Sequence, residues 1–347
     1  GRADGGIVTK LAIAAAPSQA LDALERALSP GGASALDPAV PAALWRRALA
    51  GPAHDFLGRP GKALRSSIVR GGWMLGGGAP AAFPDALALV LELLHAGSLI
   101  IDDIEDGATE RRGAPALHST VGVPLAINTG SWMYFWALAE LERLDLPPAR
   151  RLAAHRTSIA TLVRCHQGQA LDLAITIADL DPTSAGGIVS SITRLKAGAL
   201  CRLAGELGAI AAGAEPSARD AIADFAESAG CALQMLDDLG SIASPARRDK
   251  GHEDLCGGRP TWPWAWLAEV APFAWARLAG AAAAVSAGHG DADALADALA
   301  AQTASFGRGR IRSLLDGALT RLTGALGESA AIDVLAGELA RMEVSYV

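Results

Sequence analysis

The sequence predicts an all-α protein, and composition, punctuation and periodicity each lead there. About half of the 347 residues are hydrophobic, Ala and Leu dominate, and there are only two Tyr and six Phe. Such a composition favours helices over a sheet rich in β-branched and aromatic residues. Gly and Pro clusters at 30–32, 58–61, 76–84, 147–148, 186–187, 257–263 and 288–290 leave helical-length segments between them. Within these segments apolar residues recur at helical spacing. No linker divides the chain, so one large domain, residues 1–347, is expected.

Taken in order, the apolar stretch 11–17 is too short and too poorly flanked by basic residues for a signal-peptide core, and reads as a first helix. The longest apolar stretch, 86–101, contains Glu92 and His95 and falls short of the roughly 20 residues of a membrane span, so it reads as a buried core helix. Asp102, Asp103 and Asp106 lie at its C-terminal end, where the helix already carries partial negative charge. Segment 222–242 repeats the design: Phe225, Ala229, Leu233 and Leu236 are its apolar positions, and Gln234, Asp237 and Asp238 close it. The Ala-rich stretch 281–301 reads as helix near the surface.

Charge and cysteine usage narrow the function. A formal net charge of −7 argues against a nucleic-acid surface, which needs Lys and Arg to neutralise phosphates. The cysteines at 165, 201, 231 and 256 have no metal-binding spacing and are too sparse for a disulfide framework, so they read as reduced thiols of a cytoplasmic protein. There is no basic amphipathic helix to supply a stable membrane anchor.

The acidic clusters carry the chemistry. Offsets of i, i+1 and i+4 hold Asp102, Asp103 and Asp106 within about one turn on one helix face. Carboxylates so crowded suit cations. Mg²⁺ is typically held by one or two carboxylates together with phosphate oxygens and water, so two acidic patches, one per helix, could clamp a diphosphate. The adjacent Arg111 and Arg112 add the planar donors that phosphate oxygens accept from.

With these features stand RPGKALRS at 59–66, LLHAGSLIIDDIEDGATERRGAPALH at 93–118, HQGQALDL at 166–173, LKAG at 195–198, LQMLDDLGS at 233–241 and DKGHEDLCGGRPTWP at 249–263. In order and spacing they resemble the trans-isoprenyl diphosphate synthases of the polyprenyl synthase family, and most of all the geranylgeranyl diphosphate synthase type of fungi and animals, over about residues 55–265. The resemblance implies a bundle of antiparallel helices around a deep apolar cavity, working as a homodimer. It also implies head-to-tail condensation of isopentenyl diphosphate with an allylic diphosphate, with Mg²⁺, three ions, as cofactor. Asp102, Asp103 and Asp106 with Asp237 and Asp238 would hold the metal. Arg111, Lys196, Gln234, Lys250 and Arg259 would contact the allylic diphosphate, and Gly61, Lys62, Arg65, His95 and Arg112 the isopentenyl diphosphate. Gln169 and Asp172 read either as supports of the site or as plain capping groups.

In this family bulky aromatics four and five residues before the first Asp stop growth at fifteen carbons. Here those positions are Ser98 and Gly97, both small, which implies a twenty-carbon product, with Trp132, Phe135 and Trp136 as a floor or as ordinary core. Three positions depart from the pattern: Ser241 ends the second acidic motif, Ala197 stands where the family has Thr, and Arg259 where it has Lys. These leave two alternatives, a terpene cyclase on the same scaffold and a non-catalytic partner subunit of a prenyl synthase. A cyclase has no use for Gly61, Lys62, Arg65, His95 and Arg112, and a non-catalytic subunit has no use for the first acidic cluster.

Overall fold

A computed structural model describes residues 17–61 and 64–346. Most of stretch 11–17, Lys62, and the side chain of Lys250 therefore lie outside the described residues. The all-α reading holds. The principal helices are α1 (Pro17–Leu28), α2 (Gly51–Leu57), α3 (Leu64–Leu75), α4 (Ala86–Glu105), α5 (Val123–Glu142), α6 (Pro148–Ala174), α7 (Ala185–Thr193), α8 (Ala199–Ala212), α9 (Pro216–Ala243), α10 (Arg248–Cys256), α11 (Trp262–Val270), α12 (Trp275–Ser286), α13 (Ala292–Leu326) and α14 (Ala330–Tyr346). The strand content among the described residues is one small hairpin, β1 (Glu110–Arg111) and β2 (Ala114–Pro115). No helix among the described residues is long and apolar enough to cross a membrane.

The chain packs as two compact units, one running to Ile159 and including Ala204–Asp220, the other made of Ala160–Leu203 and the residues from Ala221 onward. In the first unit α4 is apolar nearly all round, and Leu87, Val90, Leu91, Leu93, Leu94 and Ile100 are buried. A helix of that kind belongs in a core. It meets α5 where both carry glycine: a Cβ on Gly97 would lie 2.7 Å from the Gly130 carbonyl oxygen, and one on Gly130 would lie 3.1 Å from that of Gly97. Helices α3 and α8 meet in the same way through Gly72 against Gly205 and Gly208 against Val69. Trp136 is buried and stacks on Trp132 at 5.0 Å, and the Trp132 indole donates to the Ser34 hydroxyl at 2.8 Å. Phe135 is 70% exposed. Core packing thus accounts for the two tryptophans.

The second unit buries Ile242, Leu255, Trp264, Leu267, Trp275, Leu278, Leu295 and Leu299 in one cluster, with Trp264 and Trp275 edge to face at 5.6 Å. The Ala-rich stretch 281–301 is helical, as expected, in α12 and α13, but it is not merely superficial. Ala282, Val285, Leu295, Ala296 and Leu299 enter this core, because alternating Ala with Leu gives each helix one narrow face that packs closely.

Candidate active site

Helix α4 ends on its acids, and each acid has a different environment. Asp103 is fully buried, Asp102 is about a quarter exposed at its side chain, and Asp106 is exposed at the helix C-cap. The hairpin that follows turns on Arg112 and Gly113, with φ of 55° and 74°. Two consecutive positive φ values make the tight hairpin turn whose twist matches its strands, and a non-Gly residue there costs about 1–2 kcal/mol. The turn sends the two neighbouring arginines to different carboxylates. Arg111 donates from Nε to Asp103 at 2.6 Å and lies 3.7 Å from Asp102. Arg112 donates from both terminal nitrogens to Glu92, at 3.2 and 3.1 Å, and lies 5.6 Å above the Phe56 ring.

Arg59 completes this cradle. It donates to Asp55 at 2.7 Å and to the Arg111 carbonyl at 3.1 Å, and lies 5.2 Å from the same Phe56 ring. Gly61 abuts Arg112, whose guanidinium would lie 3.2 Å from a Cβ there. Of the residues the resemblance assigned to isopentenyl diphosphate, Gly61, Arg65, His95 and Arg112 therefore belong to one neighbourhood. Burial, then the charges of Arg65, Arg112 and Arg111, holds the His95 imidazole well below its ordinary pKa. His95 is thus a neutral hydrogen-bonding group among cations.

Burial raises the Asp103 carboxyl, against the pull of Arg111. For Arg111, burial opposes its charge, but the bond to Asp103 together with the charges of Asp103, Asp102 and Asp106 outweighs it and the pKa rises. The Oδ2 atom of Asp103 is buried without a hydrogen-bond partner. An orphaned carboxylate oxygen beside a second carboxylate is a donor set that fits Mg²⁺. Among the described residues no group of three His, Cys, Asp or Glu forms a ready-made cation cage. An ion here would need further oxygens from a bound phosphate.

The second cluster is arranged otherwise. Asp238 is nearly buried and accepts from Gln234 at 2.7 Å and from the backbone N–H of Trp262, the first residue of α11, at 2.9 Å. Burial pushes its carboxyl up to about 7, against those two bonds. Asp237 is ion-paired with Arg247. Ser241 is buried and donates its hydroxyl to the Asp238 carbonyl at 2.7 Å, so it serves its own helix. Lys196 lies in a π-helical turn, Arg194–Gly198, a distortion frequent at functional sites, and contacts Asp172 at 2.5 Å. Arg259 donates to the carbonyl of Asp172. Lys196, Arg259 and Asp172 are thereby brought together, Gln234 is turned to Asp238, and Lys250 belongs to α10.

Two features were hidden from the sequence. Glu92, Phe56 and Arg247 occupy structural places at these clusters although nothing in their local spacing marks them, and Arg59, which opens the RPGKALRS segment, has a place there that the segment alone does not reveal. Gly97, expected to set product length, is small for a packing reason, since Gly130 and Met133 of α5 close over it. Ser98 donates its hydroxyl to the His95 carbonyl at 2.8 Å, and both positions remain length-determining candidates.

Comparisons with known proteins bear on both units. A curated relative from Zymoseptoria tritici, geranylgeranyl pyrophosphate synthase 2, is 32% identical over 219 residues, 62% of this chain and 63% of its own length. Geranylgeranyl pyrophosphate synthase dpasD from Apiospora sacchari is 32% identical over 66% of each chain. The match thus spans just under two thirds of these relatives. In fold, a decaprenyl diphosphate synthase from Rhodobacter capsulatus superposes with a TM-score of 0.77 at 18% identity, covering 98% of this chain and 99% of that one. A geranylgeranyl pyrophosphate synthase from Corynebacterium glutamicum, solved with isoprenyl diphosphate and magnesium, gives 0.75 at 22%, covering 98% of each. The profile of the Polyprenyl synthetase family matches residues 46–279, about two thirds of the sequence, and the chain belongs to that family.

Proposed function

We propose that the protein is a Mg²⁺-dependent prenyltransferase that condenses isopentenyl diphosphate head to tail with an allylic diphosphate to give geranylgeranyl diphosphate. The observation that carries this reading is the first acidic cluster: a buried, unbonded Asp103 oxygen beside Asp102, with the arginine cradle alongside. The family match and the names of the curated relatives support it.

In this reading Asp102, Asp103 and Asp106 would hold Mg²⁺ for the allylic diphosphate; the resemblance implies Asp237 and Asp238 as further ligands and three ions in all. When bound, the metal neutralises charge on the leaving diphosphate. Arg111 donates to the same group, and Lys196, Gln234, Lys250 and Arg259 are assigned to it as well. Gly61, Lys62, Arg65 and Arg112 hold isopentenyl diphosphate, the glycine by letting a phosphate come close to the backbone and the arginines as planar donors. Neutral His95 donates to that diphosphate without adding charge. Once the allylic C–O bond breaks, its electron pair leaves with diphosphate. The double bond of isopentenyl diphosphate then forms the new C–C bond, and the proton lost from the adjacent carbon passes to the released diphosphate. Because Glu92 accepts from both terminal nitrogens of Arg112, the guanidinium is held in place before substrate arrives.

The protein acts as a homodimer in a reducing, cytoplasmic setting. Exposed Val123 and Ile127 on α5 and Leu152 and Ile159 on α6 form apolar stripes of the kind that association covers, and the four cysteines are free thiols. Light scattering coupled to size exclusion tests the dimer.

Incubation with Mg²⁺ and farnesyl diphosphate, with and without isopentenyl diphosphate, tests the activity. Geranylgeraniol that appears only with isopentenyl diphosphate and only after phosphatase treatment is the expected result. A hydrocarbon or alcohol released without either would replace this reading with cyclisation.

A further inference from the structure

The two acidic clusters carry the same residue types but differ in what already neutralises them. At the first, Asp103 Oδ2 has no hydrogen-bond partner. At the second, Asp238 gives one oxygen to Gln234 and the other to the N–H that opens α11. Ser241, at the last place of the motif, where the resemblance implies Asp in many members and Asn in the fungal and animal type, is buried and bonded back to the Asp238 carbonyl. Gly251 of α10 packs against the Ser241 carbonyl, so position 251 has no room for a side chain of its own. The remaining acid, Asp237, is joined to Arg247, and their side chains are 18% and 23% exposed.

We infer that Arg247 is a built-in cation that takes the place of one divalent ion on Asp237, so that the second cluster is closed by protein groups and the chain binds fewer ions than the three its resemblance implies. A guanidinium satisfies a carboxylate as a metal does, through charge and directed bonds, but it is fixed to the chain and offers a phosphate oxygen N–H donors in place of a metal coordination position. Arg247 lies in the short 3-10 turn Pro245–Arg247 immediately before α10, which places it beside the end of α9 by local chain geometry. This inference rests on the reading of the chain as a Mg²⁺-dependent prenyltransferase. Its consequence for that enzyme is that the leaving diphosphate is held by metal at the first cluster and by arginine and lysine elsewhere.

Counting bound Mn²⁺ by electron paramagnetic resonance, with inorganic diphosphate as the probe ligand, tests it on the full chain. Arg247→Gln should bind one ion more per chain than the parent protein, and Arg247→Lys, which keeps the charge, should match the parent. An Arg247→Gln count equal to the parent's overturns the inference. Asp237→Asn in the otherwise unchanged protein guards against a variant that misfolds: the inference expects its count to stay at the parent's value, and loss of an ion overturns it. Asp103→Asn reports separately on the functional reading. If Asp103→Asn keeps the parent's full count, the metal assignment at the first cluster fails, whatever Arg247→Gln does.

Discussion

The end of α4 and the end of α9 are two answers to one electrostatic problem. Each helix buries an aspartate near its C-terminus, where the helix dipole already disfavours negative charge. On α9 the cost of Asp238 is offset locally by Gln234 and by the N-terminus of α11, which favours an anion, and Arg247 covers Asp237. On α4 a single arginine serves Asp103, and one oxygen is left over. The difference teaches that a motif of paired acids is not by itself a metal site. What distinguishes a binding cluster from a structural one is the acceptor the protein leaves unsatisfied.

Changes at the open cluster should dominate. Asp103→Asn is expected to lower kcat by about 10²–10³, the scale of losing one group that stabilises developing charge, while circular dichroism stays unchanged. Activity near the parent level would remove the contrast between the clusters. Gly97→Phe should destabilise the protein by about 1–3 kcal/mol or more through overpacking against Gly130, read by denaturant titration, whereas Ser98→Phe should fold and shorten the product. Glu92→Gln leaves Arg112 without its anionic partner and should raise KM for isopentenyl diphosphate about tenfold with kcat little changed, a cost on the scale of one charged hydrogen bond. Gly113→Ala, at φ 74°, should cost about 1 kcal/mol of stability.

A smaller effect concerns pH. The His95 pKa lies well below its unfolded value when folded, so His95 contributes stability that is fully present above about 6.5 and is lost as pH falls towards its folded pKa. His95→Gln should therefore flatten the decline of Tm below about pH 6.5. An unchanged slope would mean that His95 is not held neutral by its burial and its arginines.

Helices α4 and α9, and the acids near their ends, were legible because apolar periodicity and acidic residues are local signals. The hairpin was not, because its turn is Arg-Gly rather than the Asn-Gly that usually announces two positive φ values. Nor was the work of Glu92: an acid in an apolar helix gives no hint that its partner lies twenty residues on, at Arg112. Ser241 illustrates a partial reading. The departure at the last place of the motif was visible in the sequence, but the back-bonded hydroxyl and the packing of Gly251 against the Ser241 carbonyl depend on tertiary structure. Gly97 was read for what it lacks, and the neighbour that requires it to be small is 33 residues away, at Gly130.

The most direct test is a crystal structure of the protein grown with Mg²⁺ and inorganic diphosphate, refined to locate the ions. The account predicts Mg²⁺ on Asp102 and Asp103, with Oδ2 of Asp103 satisfied and Arg247 still paired with Asp237. Ions bound only at Asp237 and Asp238, with Arg247 displaced and the Asp103 oxygen still unbonded, would contradict it.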